Sequence, residues 1–395
     1  MNEPKLRLRA QDGTSFEDWE DIPFGELLEQ YSEKTKTNNE DILLSCAIDG
    51  MYLNSELFSH QRASDNTGYL KVDKGTLILS AQNLHLGNAN VNMRFDHGII
   101  SPAYKTFHLK GCLPEFMAQW VKREEAKKFF YDATTTGASQ CRRNVEWETL
   151  YEQPIMMPSI NEQKVIVDFF ALYDQKIDIQ REKVKALETR KKGLLQQIFS
   201  QEIRLKADDG SEFEDWDYVL IEDTFDPISD KNHPEATVLT IIQGQGTISR
   251  EESDRNISYN KNSIPTYKLV KINDFIMHLR SFEGGLEIAT KEGIVSPAYT
   301  ILRNKIEIVP QFYRYYFRSS NFINEKLTGI TEGIRDGRSI NMDDFWLLEI
   351  PFPSLPEQKK IGEFLDLINE QIQVEKDKLE AIKNVKKGLL QQMFI

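Results

Sequence analysis

Cysteine is scarce in this chain of 395 residues: Cys46, Cys112 and Cys141 are the only three. Odd in number and far apart, they form no CxxC pair, which argues against a disulfide framework or a structural zinc site. The six histidines show no HExxH or comparable ligand spacing, so no metal site is expected. Long apolar runs are missing as well. No stretch reaches the roughly 18 residues of a membrane span, and the first residues lack the apolar segment of a signal peptide. A soluble, cytoplasmic protein is the expectation. Catalytic signatures are also absent: no GxxxxGK[ST] phosphate loop, no GxGxxG after a strand, no GxSxG elbow, no Asn/Asp-Pro-Pro-aromatic motif for a flipped base. Nothing in the residues supports catalysis by this chain.

What is present begins with ample material for cores: 40% hydrophobic residues, 10% of all residues aromatic. The net charge of −13 argues at first against a nucleic-acid partner. Its placement matters more. Residues 11–29 hold seven acids and no base, and residues 208–226 hold nine acids and no base. Those sixteen exceed the whole deficit, so the rest of the chain carries +3. The acidic windows are expected to be solvated or to face a partner, pointing away from any polyanion.

Those two windows are copies of each other. Arg7–Asp21 (RLRAQDGTSFEDWED) matches Arg204–Tyr218 (RLKADDGSEFEDWDY) at nine of fifteen positions. GIISPAY (Gly98–Tyr104) returns as GIVSPAY (Gly293–Tyr299), 195 residues later. Pro158–Phe199 matches Pro353–Phe394 at nineteen of forty-two positions with the same offset. The chain is therefore a duplication of a unit of about 195 residues, each copy a globular part followed by a helix. The expected division is residues 1–158, a helix over 159–199, a second globular part over 200–353 and a second helix over 354–395. The globular parts read as mixed α and β. GYLKVDKGTLILS (Gly68–Ser80) and TYKLVKINDFIMH (Thr266–His278) predict strand, turn, strand, and the stretches after Pro114 and Pro310 predict helices.

Each helical segment opens on an S-x-x-E capping box, Ser159 to Glu162 and Ser354 to Glu357. Apolar residues then recur at alternating steps of four and three, the period of a coiled-coil seam. The seam runs through Ile177, Gln180, Val184, Leu187, Lys191 and Leu194 in one helix, and Ile372, Glu375, Leu379, Ile382, Lys386 and Leu389 in the other. Polar breaks fall at matching places. An antiparallel pairing sets Lys191 against Glu375 and Gln180 against Lys386, whereas a parallel one buries Lys191 beside Lys386. The expectation is an antiparallel coiled coil holding two similar globular parts apart about a pseudo-twofold axis. The same symmetry expects the two ends of the chain to lie near each other, as Ser200–Ile203 join the copies in the middle.

The copies diverge most between the FEDW and SPAY landmarks and in two polar loops. Candidate base-reading residues are Ser80, Gln82, Asn83 and His85, with Gln140, Arg142 and Arg143, in the first copy. His278, Arg280 and Ser281, with Arg335 and Arg338, are their counterparts in the second. Asn and Gln bond adenine edges and Arg bonds guanine edges bidentately, which is why these types point to duplex DNA. A free-standing bivalent DNA-binding protein and a coiled-coil scaffold with two protein-binding heads also accommodate these residues.

The ordered set of repeated motifs resembles the specificity (S) subunit of Type I restriction–modification enzymes. It rests on both FEDW and SPAY segments, on Pro158-Ser-Ile-Asn-Glu162-Gln163 with Pro353-Ser-Leu-Pro-Glu357-Gln358, and on the two KKGLLQQ tails. The resemblance implies an α+β protein with two target-recognition domains, each reading half of a bipartite DNA sequence across a spacer set by the helices. It implies two modification (methyltransferase) subunits as partners, together with restriction subunits that translocate and cut DNA, and no membrane. S-adenosylmethionine, ATP and Mg are then expected on those partners, with no cofactor in this chain. The outer helix faces, with Gly193 and Gly388, are where partners would approach.

Overall fold

A computed structural model describes residues 4–58, 65–136, 143–252, 261–278, 284–333 and 339–394. The chain divides into two compact units: Met1–Arg181 with Lys378–Ile395, and Glu182–Asp377. Two long helices, Ile160–Phe199 and Leu355–Met393, each give one part to each unit. The structural division thus cuts through both helices, whereas the duplication cuts at their starts.

In the first unit the core is organised by Leu77–Ser80, a strand buried at every residue. It lies inside a four-stranded antiparallel sheet of spatial order Leu28–Tyr31, Tyr104–Leu109, Leu77–Ser80, Ala89–Val91. Side chains alternate across a strand. Leu77 and Leu79 accordingly join the main core with Phe24, Phe107, Phe116 and Phe130, while Ile78 joins a second cluster with Leu44, Val72 and Ile100. The second unit repeats the plan. Its sheet runs Phe225–Ile228, Tyr299–Asn304, Phe275–His278, Glu287–Ile288. Phe275 and Met277 face one cluster and Ile276 the other.

The strand-turn-strand segments form, but their strands do not pair with each other. Leu70–Asp73 pairs with His97–Ile100, and Lys268–Val270 pairs with Gly293–Val295. The turn between them needs a left-handed residue, supplied by Gly75 (φ 88°) and by Asn273 (φ 75°), two types that tolerate that region. Downstream, the helical stretch after Pro114 is broken into Pro114–Trp120 and Glu124–Asp132. Arg123 is extended at the break, and both Trp120 and Phe130 then reach Phe24, at 6.0 and 6.2 Å between ring centroids. After Pro310 the corresponding pieces are Pro310–Tyr316 and a π-helical Asn321–Leu327.

The repeated motifs meet at the start of each long helix. Glu162 donates its backbone N–H to Ser159 Oγ at 3.4 Å, but its carboxylate does not complete the capping box. It accepts both Nε and Nη2 of Arg7, each at 2.9 Å, with its side chain only 1% exposed. Arg7 also donates to the backbone carbonyl of Glu17, and two residues on, Trp19 is buried against Phe116 and Phe394. Arg204, Glu357 and Trp216 repeat the arrangement in the second unit, with Nη2 of Arg204 3.3 Å from both Glu357 oxygens. An arginine outcompetes a lone N–H because a buried carboxylate needs a counter-charge as well as hydrogen bonds. The glutamines that follow tie down the loop opposite. Gln163 accepts from Leu113 N–H (2.8 Å), and Gln358 accepts from Val309 N–H (2.9 Å).

Within each unit the start of one long helix lies with the end of the other. Ile166 and Phe170 share a core with Leu389, Leu390, Met393 and Phe394; Ile361 and Leu365 share one with Leu195, Ile198 and Phe199. All twelve seam positions are buried or half-buried. Their polar partners differ from expectation. Glu375, 7% exposed, pairs with Lys183 at 3.1 Å, and Lys191 stands over the ring of Tyr315 instead. Lys386 takes Asp174 at 2.6 Å, since a half-buried ammonium gains more from a carboxylate than from the amide of Gln180. At the ends, Leu6 N–H donates to Gln392 O at 2.9 Å, the counterpart of Ile203 N–H to Gln197 O at 3.1 Å in the middle of the chain. All sixteen carboxylates of the two acidic windows are exposed to solvent.

Replacing Arg7 by Ala leaves Glu162 buried without its cation and lowers the stability of the first unit by about 3–5 kcal/mol. Hydrogen exchange in urea reads this as early loss of protection over residues 160–170, with the second unit unchanged. Adding Glu162→Gln to the same variant returns part of the loss, because no uncompensated charge remains.

Candidate nucleic-acid interface

The central strand of the first unit delivers its last residue, Ser80, opposite Tyr104. The SPAY motif accounts for that tyrosine: Tyr104 N–H donates to Ser101 O (3.3 Å) and Ala103 N–H to Ser101 Oγ (3.3 Å), a tight turn that starts the neighbouring strand. The second unit forms the same turn at Ser296 and places His278 opposite Tyr299, their rings edge to face at 5.3 Å.

Ser80 itself is buried, and its Oγ accepts from Asn83 N–H at 3.1 Å. It shapes the turn rather than facing outward. The turn is pinned by fully buried Leu84 and closed by Gly87 at φ 87°, where only glycine is at ease. Gln82 and Asn83 are thereby held exposed, with His85 half-buried beside them. Burial, and then the charge of Arg143, lower the pKa of His85, so the imidazole is neutral at pH 7 and can donate from one nitrogen and accept at the other.

Arg143 is itself firmly held. Its Nε and Nη2 donate to Thr134 Oγ1 (2.7 Å) and Thr134 O (2.6 Å), and its guanidinium lies 4.1 Å over the ring of Tyr131. It comes from the two-stranded ladder Thr134–Thr136 with Arg143–Val145, matched by Thr331–Glu332 with Ser339–Ile340 in the second unit. Those ladders flank the remaining candidates: Gln140, Arg142, Arg335 and Arg338, like Arg280 and Ser281, lie outside the described residues.

Sequence reasoning passed over the neutral cavity beside this turn. About 460 Å³ in volume, it is lined by Asn83, Asn88, Tyr69, Ser101 and Tyr104. Burial pushes the Tyr104 phenol up to about 12 and the Cys46 thiol up to about 11, so both stay protonated, and Tyr104 donates to Cys46 O at 3.1 Å. The repeated SPAY was the available signal for Tyr104; nothing in the local sequence marked Asn88. Among the described residues no group of three or more His, Cys, Asp or Glu side chains could hold a metal ion, and no helix is long and apolar enough to cross a membrane.

The type I restriction modification DNA specificity domain model matches residues 16–189 and again 224–384. The putative type I restriction enzyme MjaX specificity subunit of Methanocaldococcus jannaschii is 22% identical over 349 residues, 85% of this chain and 76% of that protein. The MjaVIII specificity subunit of the same organism is 22% identical over 401 residues, covering 95% of this chain and 91% of its own. A solved chain from work on assembly and conformational transition of the type I R-M system superposes with a TM-score of 0.59 at 15% identity, covering 96% of this chain and 99% of its own. With a family model matched twice and spanning most of its length, the chain belongs to the type I restriction–modification specificity subunits, the non-catalytic DNA-recognition components of those systems.

Proposed function

We propose that each globular part is a target-recognition domain reading one half of a bipartite duplex target. The two long helices then form an antiparallel coiled coil that sets the unread spacer. The observation that carries this reading is a shared frame with different contents. The same strand in the same sheet order ends at Ser80, with Gln82, Asn83 and His85 following it, in one unit and at His278 in the other. Two sites built alike but furnished differently suit two different half-sites. The fixed, neutral polar groups around Asn83 suit base edges better than phosphates, which would call for cations.

Two modification subunits, bringing S-adenosylmethionine, and the ATP- and Mg-dependent restriction subunits complete the proposed assembly. The long helices offer a repeated docking surface for the first of these. Leu172, Ile179, Ala186 and Gly193 recur every seven residues, as do Leu367, Val374, Ala381 and Gly388 at the same offset of 195. Leu172, Ile179, Leu367 and Val374 are 58%, 60%, 64% and 50% exposed, and a Cβ added at either glycine would meet nothing within 4 Å. An apolar stripe left open twice in equivalent places fits one partner bound twice.

Mapping methylated adenines in a host with and without this chain tests the reading, since a bipartite motif appears only with it. Asn83→Ala is expected to relax one half-site by about 1–3 kcal/mol of discrimination while the other half stays intact. Loss spread evenly over all sequences would remove Asn83 from base recognition. Ile179→Glu is expected to reduce the bound modification subunits from two to one, measured by native mass spectrometry, with Val374→Glu removing the other.

A further inference from the structure

The duplication supplies an internal control for one cluster of charges. In the first unit every charge in it is closed. Lys386, 15% exposed, holds Asp174 at 2.6 Å, and Gln119 donates to the other carboxylate oxygen at 3.4 Å. Lys122, after the helix that starts at Pro114, donates hydrogen bonds to Ile48 O (2.8 Å), Ala89 O (3.2 Å) and Asn90 Oδ1.

In the second unit the counterparts change in one direction. Lys191 takes the place of Lys386, but Asp174 is replaced by Asn369, which removes the anion. Ala118, Gln119 and Lys122 give way to Arg314, Tyr315 and Arg318, which adds a cation. The nearby carboxylates are already engaged. Asp366 binds Arg314 and accepts from Tyr315 Oη at 2.5 Å, and Glu188 holds Lys376 at 2.6 Å. Glu287 accepts from Gly244 N–H at 2.7 Å and stands 3.1 Å from Arg318 Nε, which nevertheless makes no hydrogen bond among the described residues. Lys191 is half-buried and has no carboxylate within ion-pair distance there. Its ammonium feels chiefly burial and then the charges of Arg318, Arg314 and Lys376, all of which lower its pKa.

Apart from Asp366, these groups line a cavity of about 660 Å³ with five basic and three acidic side chains; with Asp366, which holds Arg314, the local excess is +1 in a chain of −13. Lys191 is costly to hold half-buried without an anion of its own, and a cavity of this volume lies within the roughly 300–1,000 Å³ range of small-ligand sites. We propose that this cavity of the second unit binds a phosphate group through Lys191 and Arg318, a site the first unit has closed with Asp174. The phosphate belongs either to a free phosphate ester or to the backbone of bound DNA, and only the second source rests on the DNA-reading function.

The test uses the full chain and two variants. Asn369→Asp installs the carboxylate that the first unit tolerates at the same place, and Lys191→Met removes the cation. Thermal unfolding in inorganic phosphate, against chloride at equal ionic strength, reads the free-anion source. Phosphate is expected to raise the wild-type midpoint and to leave both variants unmoved. DNA affinity against salt, with the chain assembled with its modification subunits, reads the other source: both variants are expected to lower the slope by about one. Equal behaviour of wild type and variants in both measurements overturns the proposal while specific DNA binding stands. Failure of the wild type to bind DNA at all removes the DNA reading and leaves the phosphate titration to decide.

Discussion

A glutamate with almost no exposure, one turn into each long helix, is the constraint on which the rest of each unit depends. A carboxylate removed from water demands a cation and several donors. Arg7 answers Glu162 and Arg204 answers Glu357. Because the same guanidinium also binds the backbone at Glu17 or Glu214, the FEDW segment is set in register with the helix. Its tryptophan is then carried into the core, where Phe394 or Phe312 meets it. The next residue, Gln163 or Gln358, fixes the loop before the short helix that packs behind the sheet. The arginine, the FEDW segment and the Glu-Gln pair, separate in sequence, are therefore parts of one joint.

That joint explains why the frame of the fold is shared while the outer turns differ. The central strand is buried on both faces, so its residues are set by packing, Leu77-Ile78-Leu79 in one unit and Phe275-Ile276-Met277 in the other. Past its end in the first unit, Gln82 and Asn83 meet solvent, where packing no longer dictates identity. Ser80 is the exception in the candidate set, because its hydroxyl closes the turn that presents Asn83. Ser80 thus stands between residues set by packing and the exposed Gln82 and Asn83.

Much of the architecture was legible in the sequence because it follows from periodicity and repetition, which need no knowledge of distant contacts. The two long helices and the mixed helix and strand content belong to this class. What was not legible depends on partners far along the chain. The S-x-x-E pattern predicts a local cap, but Arg7 lies 155 residues from Glu162 and wins by charge. The helix after Pro114 breaks at Arg123 for the sake of rings that meet only in the folded core. The pairing of Lys191 with Glu375 failed for a related reason. Lys183 reaches Glu375 from the edge of the seam, and a flexible lysine stem makes such a detour cheap. Of the candidate site, the turn at Gln82 and Asn83 could be read from composition, whereas Asn88 and the neutral cavity required the folded sheet.

Duplication relaxes a constraint that a single domain cannot escape. Each copy must keep the buried joint, since losing one partner leaves an unpaired charge in the interior. Outside the joint, two copies need not satisfy the same chemistry, and the lysine near the end of each long helix shows the consequence. Lys386 is neutralised by Asp174, while Lys191, at the equivalent position, shares its cavity with Asn369, Arg314 and Arg318. Conversion of one carboxylate to its amide leaves shape and volume nearly unchanged, so packing offers no resistance to it. Together with Arg314 and Arg318 in place of Ala118 and Lys122, the change leaves a positive cavity where the first unit has a closed ion pair. A joint kept in both units therefore leaves the two halves free to differ in the side chains outside it.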